Sequence, residues 1–169
     1  MASGAEPIIR EATAADLERI QAMQVALAEA EHPHDSNIDM AGIPTAEKWG
    51  HVGYVDMAAK LASEDAVVVV AEVGGRAIGV CYAEITADKA WSLVDHYGYV
   101  GCVFVESSHR GGGPQGPWPR MLAFLEAWVV SKGVSQLRLE VYSSNAAAVR
   151  AYEKAAFKPS IITMHKNLL

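Results

Sequence analysis

Hydrophobic and polar positions divide the chain into short blocks that switch between strand and helix periods. Ile8-Ile9-Arg10 reads as a first strand, and Thr13-Ala14-Ala15-Asp16 resembles a capping box that opens a helix. Behind it Leu17, Ile20, Met23 and Leu27 recur at helical spacing. This helix is predicted to stop near His32-Pro33, because a residue before proline is pushed out of the α region. The polar loop His34-Asp35-Ser36-Asn37 follows, then a second helical region to about Ala62. Ala66–Ala71 is β-branched and apolar on both faces, as in a strand covered on two sides. Gly74-Gly75 predicts a hairpin turn into a second such strand, Ala77–Ile85. Thr86–Tyr97 reads as a polar and aromatic loop and Tyr99–Val105 as the next strand. Met121, Leu122, Leu125, Trp128 and Val129 mark an amphipathic helix, with Pro119 in its first turn and Gly133 at its C-terminal cap. Leu137–Val141 alternates as a strand, Asn145–Ala155 is helical, and Ile161–Leu169 is expected to close the fold as a strand, with a short one near Phe157. Hairpins first and crossover helices later predict an α/β fold with a mixed sheet and helices on both faces.

Composition narrows the picture. At 169 residues the chain is expected to form one domain, 1–169, large enough to bury a core without metal or disulfide staples. A content of 51% hydrophobic and 20% charged residues excludes disordered, collagen-like and coiled-coil classes. The net charge of −6 argues against a nucleic-acid partner and suits a cationic small molecule or peptide amine. Cys81 and Cys102 lie in apolar runs without a CxxC or Cys/His cluster, so they read as reduced core thiols, and no metal is expected. His32, His34 and Asp35 surround a proline and read as a loop rather than a metal site. The N-terminus has no signal-peptide pattern, and the longest apolar run is far short of the roughly 18 residues of a membrane span. A cytoplasmic protein with no membrane partner is expected.

The segment from Tyr99–Val105 through Pro119 carries the candidate chemistry. Glycines between a strand and a helix expose backbone N–H groups where a helix start favours anions. Gly111 and Gly116 have P-loop spacing, but Pro117-Trp118 stand where Lys and Ser/Thr are needed, so that motif fails. Gly111, Gly113 and Gly116 match the dinucleotide fingerprint, with Glu140 near the position of a ribose-binding acid. Against it, the glycines begin late after the strand, Pro114, Pro117 and Pro119 fill the turn, and little chain follows Glu140.

A third ligand, coenzyme A, fits a resemblance. Val105-x-x-x-x-Arg110-Gly-Gly-Gly113 is similar to the acyl-CoA signature of the GNAT superfamily of N-acetyltransferases, and Asn145-x-x-Ala148-x-x-x-Tyr152-Glu-Lys-x-x-Phe157 resembles its second signature. The opening Ile9-Arg10-x-Ala12-Thr13-x-x-Asp16-Leu17 and the ending Met164-His-Lys-x-Leu168 are also similar to family members. The resemblance implies a GNAT-like acyl-CoA N-acyltransferase fold, with a central, mostly antiparallel sheet and acetyl-CoA as co-substrate. It implies a splay between the strands Tyr99–Val105 and Leu137–Val141, where the pantetheine arm pairs with main-chain groups of Val103 and Val105. Arg110, Gly111, Gly112, Gly113 and Gly116 would cradle the pyrophosphate, with charge from Arg110 and Arg120. Asn145 and Tyr152 complete the cofactor set, a backbone N–H near Val105 would hold the oxyanion, and Tyr152 would protonate the leaving thiolate. The first inter-helix region, with His32, His34 and Asp35, would line the acceptor pocket. Glu84 is the expected base, with Asp95, His96 and Tyr99 as further candidates, and the acceptor is a primary amine of a small molecule or peptide. A homodimer is compatible with this. Gln115 replaces the usual small residue, the loop is about three residues longer, and Ala156 stands where glycine is common. A CoA-ester-binding module without transferase activity and a nicotinamide-dependent enzyme remain the alternatives.

Overall fold

The computed structural model describes residues 6–35 and 55–164, together with 166 and 168. Strand β1 (Ile8–Glu11) leads through a one-turn 3-10 helix into α1 (Leu17–Glu31), and the short α2 is Met57–Leu61. The hairpin β2 (Ala66–Val73) and β3 (Arg76–Ala87) continues into β4 (His96–Val105), then α3 (Pro117–Ser131), β5 (Leu137–Arg138) and α4 (Ala146–Lys154). The sheet order follows the chain, β1-β2-β3-β4-β5, antiparallel except for the β4–β5 pair. This is the expected mixed sheet, and it is not the parallel sheet that a dinucleotide fingerprint requires.

Alternating side chains of β2, β3 and β4 supply two cores. On one face Val69, Cys81, Val100 and Val105 pack with Met121, Leu125 and Val129 of α3. On the other Val68, Val70, Val80, Tyr82 and Phe104 pack with Ile20 and Met23 of α1 and Met57 of α2. Burying Met121, Leu125 and Val129 contributes on the order of 5–9 kcal/mol at about 1.5–3 kcal/mol per side chain. Both cysteines are free thiols, as expected.

Local chemistry explains the element ends. Thr13 N–H donates to Asp16 Oδ2 at 2.8 Å, which completes the capping box ahead of α1. Pro33 ends α1 in a 3-10 turn, His32–His34. Gly133 follows α3 with φ +76°, a conformation that favours glycine. The second helical region is confirmed over Met57–Leu61, while 36–54 lies outside the described residues.

Three expectations are corrected. The loop after β3 is shorter than Thr86–Tyr97, because β3 and β4 stay paired as far as Ala87 and His96. The strand Leu137–Val141 narrows to Leu137–Arg138, since the chain leaves β4 after that pair. Residues 161–164 form no strand, nor does Phe157: a two-residue β5 offers too little edge to template a neighbour, and Ile161, Ile162 and Met164 are exposed. Residues 165, 167 and 169 of that expected strand lie outside the described residues.

Candidate active site

The site begins where β4 and β5 part. Their parallel ladder joins Gly98 to Leu137 and Tyr99 to Arg138 and goes no further among the described residues. Gly98 permits this approach, because a Cβ there would sit 2.7 Å from Val129 and 2.8 Å from Leu137. Arg138 holds the base of the opening with an ion pair to Asp88 and its guanidinium 4.1 Å from the Tyr97 ring centroid. Beyond Tyr99 the β4 edge is open along Val100–Val105 among the described residues. This is the splay that the family resemblance implies.

A bulge shapes that edge. Tyr82 pairs with Gly101 and Val80 with Phe104, so Cys102 and Val103 together face Cys81. Cys102 carries φ +50°, a left-handed conformation rare outside glycine. Gly101 lies under the Tyr82 ring, which would meet a Cβ at 2.5 Å. The extra residue shifts the phase of main-chain donors and acceptors along β4 at its middle. Val103 packs towards α3 and Cys102 towards α1. The bulge was not legible in the sequence, whose one local hint is the Gly101-Cys102 pair inside an otherwise regular strand.

At the end of β4 the chain enters the glycine loop. Gly111, Gly112 and Gly113 have φ +98°, +81° and +57°, three successive left-handed residues that favour glycine. Gly116 fits because a Cβ would stand 1.9 Å from the Gly111 carbonyl oxygen. Pro117 occupies the first position of α3 and Pro119 the third. Prolines there remove N–H groups that a helix start leaves unpaired anyway. Among the described residues the N–H groups of Gly111, Gly112 and Gly113 have no main-chain partner, so the loop retains anion donors despite its prolines.

The arginines are partly spent. Arg110 donates Nε–H to the Val105 carbonyl at 2.8 Å, and its guanidinium lies 5.9 Å from the Phe104 ring centroid. Arg120 turns away, donating to the Pro7 carbonyl at 2.6 Å and pairing with Glu6 at 2.8 Å, which corrects its expected phosphate role. At the root of the loop Glu106 is neutralised by Arg19 and Arg76, and its backbone N–H donates to Ile78 O at 2.8 Å.

Helix α4 meets the first turn of α3. Asn145 Oδ1 accepts from Ala148 N–H at 3.2 Å, so Asn145 caps this helix. Tyr152 sits edge-on between Trp118, at 5.6 Å, and Phe157, at 6.0 Å between ring centroids. Burial pushes its hydroxyl up to about 12, with the Glu31 charge adding to the shift, so at neutral pH it holds a proton to give. Trp118 Nε1–H is buried with no hydrogen-bond partner among the described residues. The sequence reading did not single out this donor. An orphaned donor and three glycine amides beside an open strand edge suit a phosphorylated, amide-bearing ligand such as CoA.

The remaining candidates are spread over several elements. Glu84 faces Tyr99 across the ladder and is ion-paired with Lys60 of α2. Asp95 uses its carbonyl to accept Asp88 N–H, and His96 is exposed at the start of β4. His34 Nδ1 lies 3.0 Å from Ser144 Oγ, and Tyr142 OH donates to Asp35 at 3.2 Å, so the end of α1 reaches the link between β5 and α4. Glu31, absent from the sequence candidates, continues the buried stripe Ile20, Gln24, Ala28 by one further turn. A carboxylate on that stripe was the signal that could have found it. Among the described residues no group of three metal-ligating side chains is present.

Comparison with known proteins gives the family to which this fold belongs. The model of the acetyltransferase (GNAT) family matches residues 27–157, and the chain belongs to that family. No curated protein matches the sequence. Among solved structures, a Bacillus halodurans protein determined as a tetramutant is 20% identical with a TM-score of 0.76, covering 95% of this chain and 99% of its own. A predicted acetyltransferase with acetyl-CoA from Clostridium acetobutylicum is 16% identical with a TM-score of 0.66, covering 96% of each chain. An aminoglycoside N-acetyltransferase in complex with CoA is 18% identical with a TM-score of 0.67, covering 95% of this chain and 99% of its own. No described helix is long and apolar enough to cross a membrane.

Proposed function

We propose that this chain is a single-domain N-acetyltransferase that moves an acetyl group from acetyl-CoA to a primary amine of a small molecule or peptide, in a ternary complex. The observation that carries the reading is the β4–β5 splay, open beyond Tyr99 among the described residues, with the glycine loop at its far end and Tyr152 against the first turn of α3. A solved relative by fold is an aminoglycoside N-acetyltransferase bound to a bisubstrate analogue, which supports a small-molecule acceptor.

The residues then have distinct tasks. Main-chain groups of Val103 and Val105 would pair with the pantetheine amides. Arg110 and the N–H groups of Gly111, Gly112 and Gly113 would meet the pyrophosphate, with Gly116 giving the loop room. Acetyl-CoA supplies an activated thioester carbonyl. A backbone N–H near Val105 would stabilise negative charge growing on the carbonyl oxygen, an interaction that counts for most in a dry site. Asn145 holds the start of α4, and Tyr152 would give its proton to the departing sulfur. For Glu84 to act as the base, its ion pair with Lys60 must open.

The test combines binding and turnover. Acetyl-CoA and CoA should raise the melting temperature, as a ligand at a hundredfold excess over its dissociation constant adds about 2.7 kcal/mol. Acetyl-CoA with amine panels should release free thiol. A shift without thiol release with any amine would favour a CoA-ester-binding module, and a shift with NAD alone would overturn the reading.

A further inference from the structure

Glu31 is a carboxylate without a partner at a crowded place. It is the last residue of α1, half-buried, and has neither an ion pair nor a side-chain hydrogen bond among the described residues. The turn that follows it is fastened to the link between β5 and α4 through His34–Ser144 and Tyr142–Asp35. That bridge crosses from α1 to the far side of the splay.

The groups that feel the Glu31 charge come from every side of this crossing. They are Tyr99 and Cys102 on β4, Tyr142 after β5, Tyr152 on α4 and His34 in its own turn. Glu140 and Glu84 also act on Tyr99, and Asp35 acts on Tyr142. Burial pushes the Glu31 carboxyl above its usual range, and the nearby His34 opposes this. Glu31 therefore shares surroundings with the bulge residue Cys102 and with Tyr152, while Glu84 is tied to Lys60.

We propose that Glu31 is the base that takes the proton from the acceptor ammonium, an inference that rests on the acetyl-transfer reading above. The protonated amine gives one proton to the Glu31 carboxylate. Its freed lone pair forms the C–N bond at the thioester carbonyl, whose π pair moves to oxygen. When that pair returns, the C–S bond breaks and sulfur leaves with the bonding electrons, taking the Tyr152 proton. The surplus proton on nitrogen passes to the Tyr152 phenolate, and Glu31 releases its own to water. One proton leaves per turnover.

Glu31→Gln tests this with spermidine, tobramycin and tyramine as probe amines, while the CoA-induced melting shift monitors fold and cofactor binding. At pH 7 kcat/KM should fall about 100-fold or more. The loss should shrink as pH approaches about 10, where a free amine sheds its own proton. Glu31→Asp should fall between. Unchanged rates at pH 7, or an equal loss at every pH, would overturn the proposal, the second outcome marking a packing role. If the wild-type protein acetylates none of the three amines, the acetyl-transfer reading is what fails. Glu31 is then judged by carbon-13 carboxyl titration of the CoA-bound protein. Titration above the other glutamates with a response to spermidine would support it, and titration among them without a response would overturn it.

Discussion

Tyr152 stands edge-on to Trp118, ring centroids 5.6 Å apart at 78°, and this contact ties α4 to the first turn of α3. Phe157 closes the other side at 6.0 Å. Two aromatic edges hold the ring whether or not it carries a hydroxyl. Tyr152→Phe should therefore leave melting temperature and CoA affinity unchanged and lower kcat about 100-fold or more. Steady-state kinetics beside calorimetric CoA titration checks both halves. Because burial pushes the hydroxyl up to about 12, its loss of the proton should leave no mark on the rate profile near neutral pH.

Trp118 offers a second test. Its buried Nε1–H lacks a partner among the described residues, and such a group costs about 1–3 kcal/mol unless something accepts from it. Trp118→Phe should leave the free protein's stability nearly unchanged, lost packing being offset by removal of an unsatisfied donor. CoA should bind about 5–10-fold more weakly if the indole serves it, near the net worth of one hydrogen bond. Urea unfolding with and without CoA separates the two effects.

Gly116 tests the loop itself. Its missing Cβ leaves room for the Gly111 carbonyl, which would otherwise stand 1.9 Å away. Gly116→Ala must open the turn at the start of α3 and scatter the Gly111–Gly113 amides. The expected outcome is a folded protein, by far-ultraviolet circular dichroism, whose melting temperature no longer responds to CoA.

Arg110 acts on the same ligand by charge. Its Nε–H is committed to the Val105 carbonyl, leaving the rest of the guanidinium to a phosphate. Arg110→Ala should weaken CoA binding by about 1.5–3 kcal/mol and flatten the salt dependence, as charge-assisted contacts to phosphate are screened by ions. Calorimetry at low and high salt reads both.

Away from the site, Asp16 tests the fold. Arg10 grips its carboxylate through two hydrogen bonds of 2.9 Å, and Thr13 N–H adds a third, which together hold the Asp16 carboxyl well below the usual range. A group with a depressed native pKa contributes stability above its unfolded pKa, about 3.9, and that contribution is lost as pH falls below it. Asp16→Asn should destabilise by about 1 kcal/mol at pH 7, since solvent screens a partly exposed pair. The difference should shrink below about pH 4, as denaturant melts of both proteins across pH will show.

Much was legible in the chain because the signals are local. Thr13 and Asp16 meet across one helical turn, Pro33 ends α1 wherever it folds, and Gly74-Gly75 turns the hairpin. The order of elements through α4 and the two-sided burial of Ala66–Ala71 follow from periodicity, and the glycine loop with Asn145 and Tyr152 is marked by the family resemblance. What tertiary structure decided involves partners distant in sequence. The splay exists because β5 meets β4 for two residues and then diverges, and the bulge because Cys81 faces both Cys102 and Val103. Arg120 belongs to Pro7 and Glu6, more than a hundred residues away, and Glu84 to Lys60. The closing strand fails for the same reason: alternation in 161–164 states a preference, but a strand needs an edge, and β5 supplies too little. Glu31 shows the limit most plainly. Sequence places it on the buried stripe of α1, whereas its lack of an ion pair or side-chain hydrogen bond among the described residues depends on which charges the fold brings near, through contacts no residue spacing records.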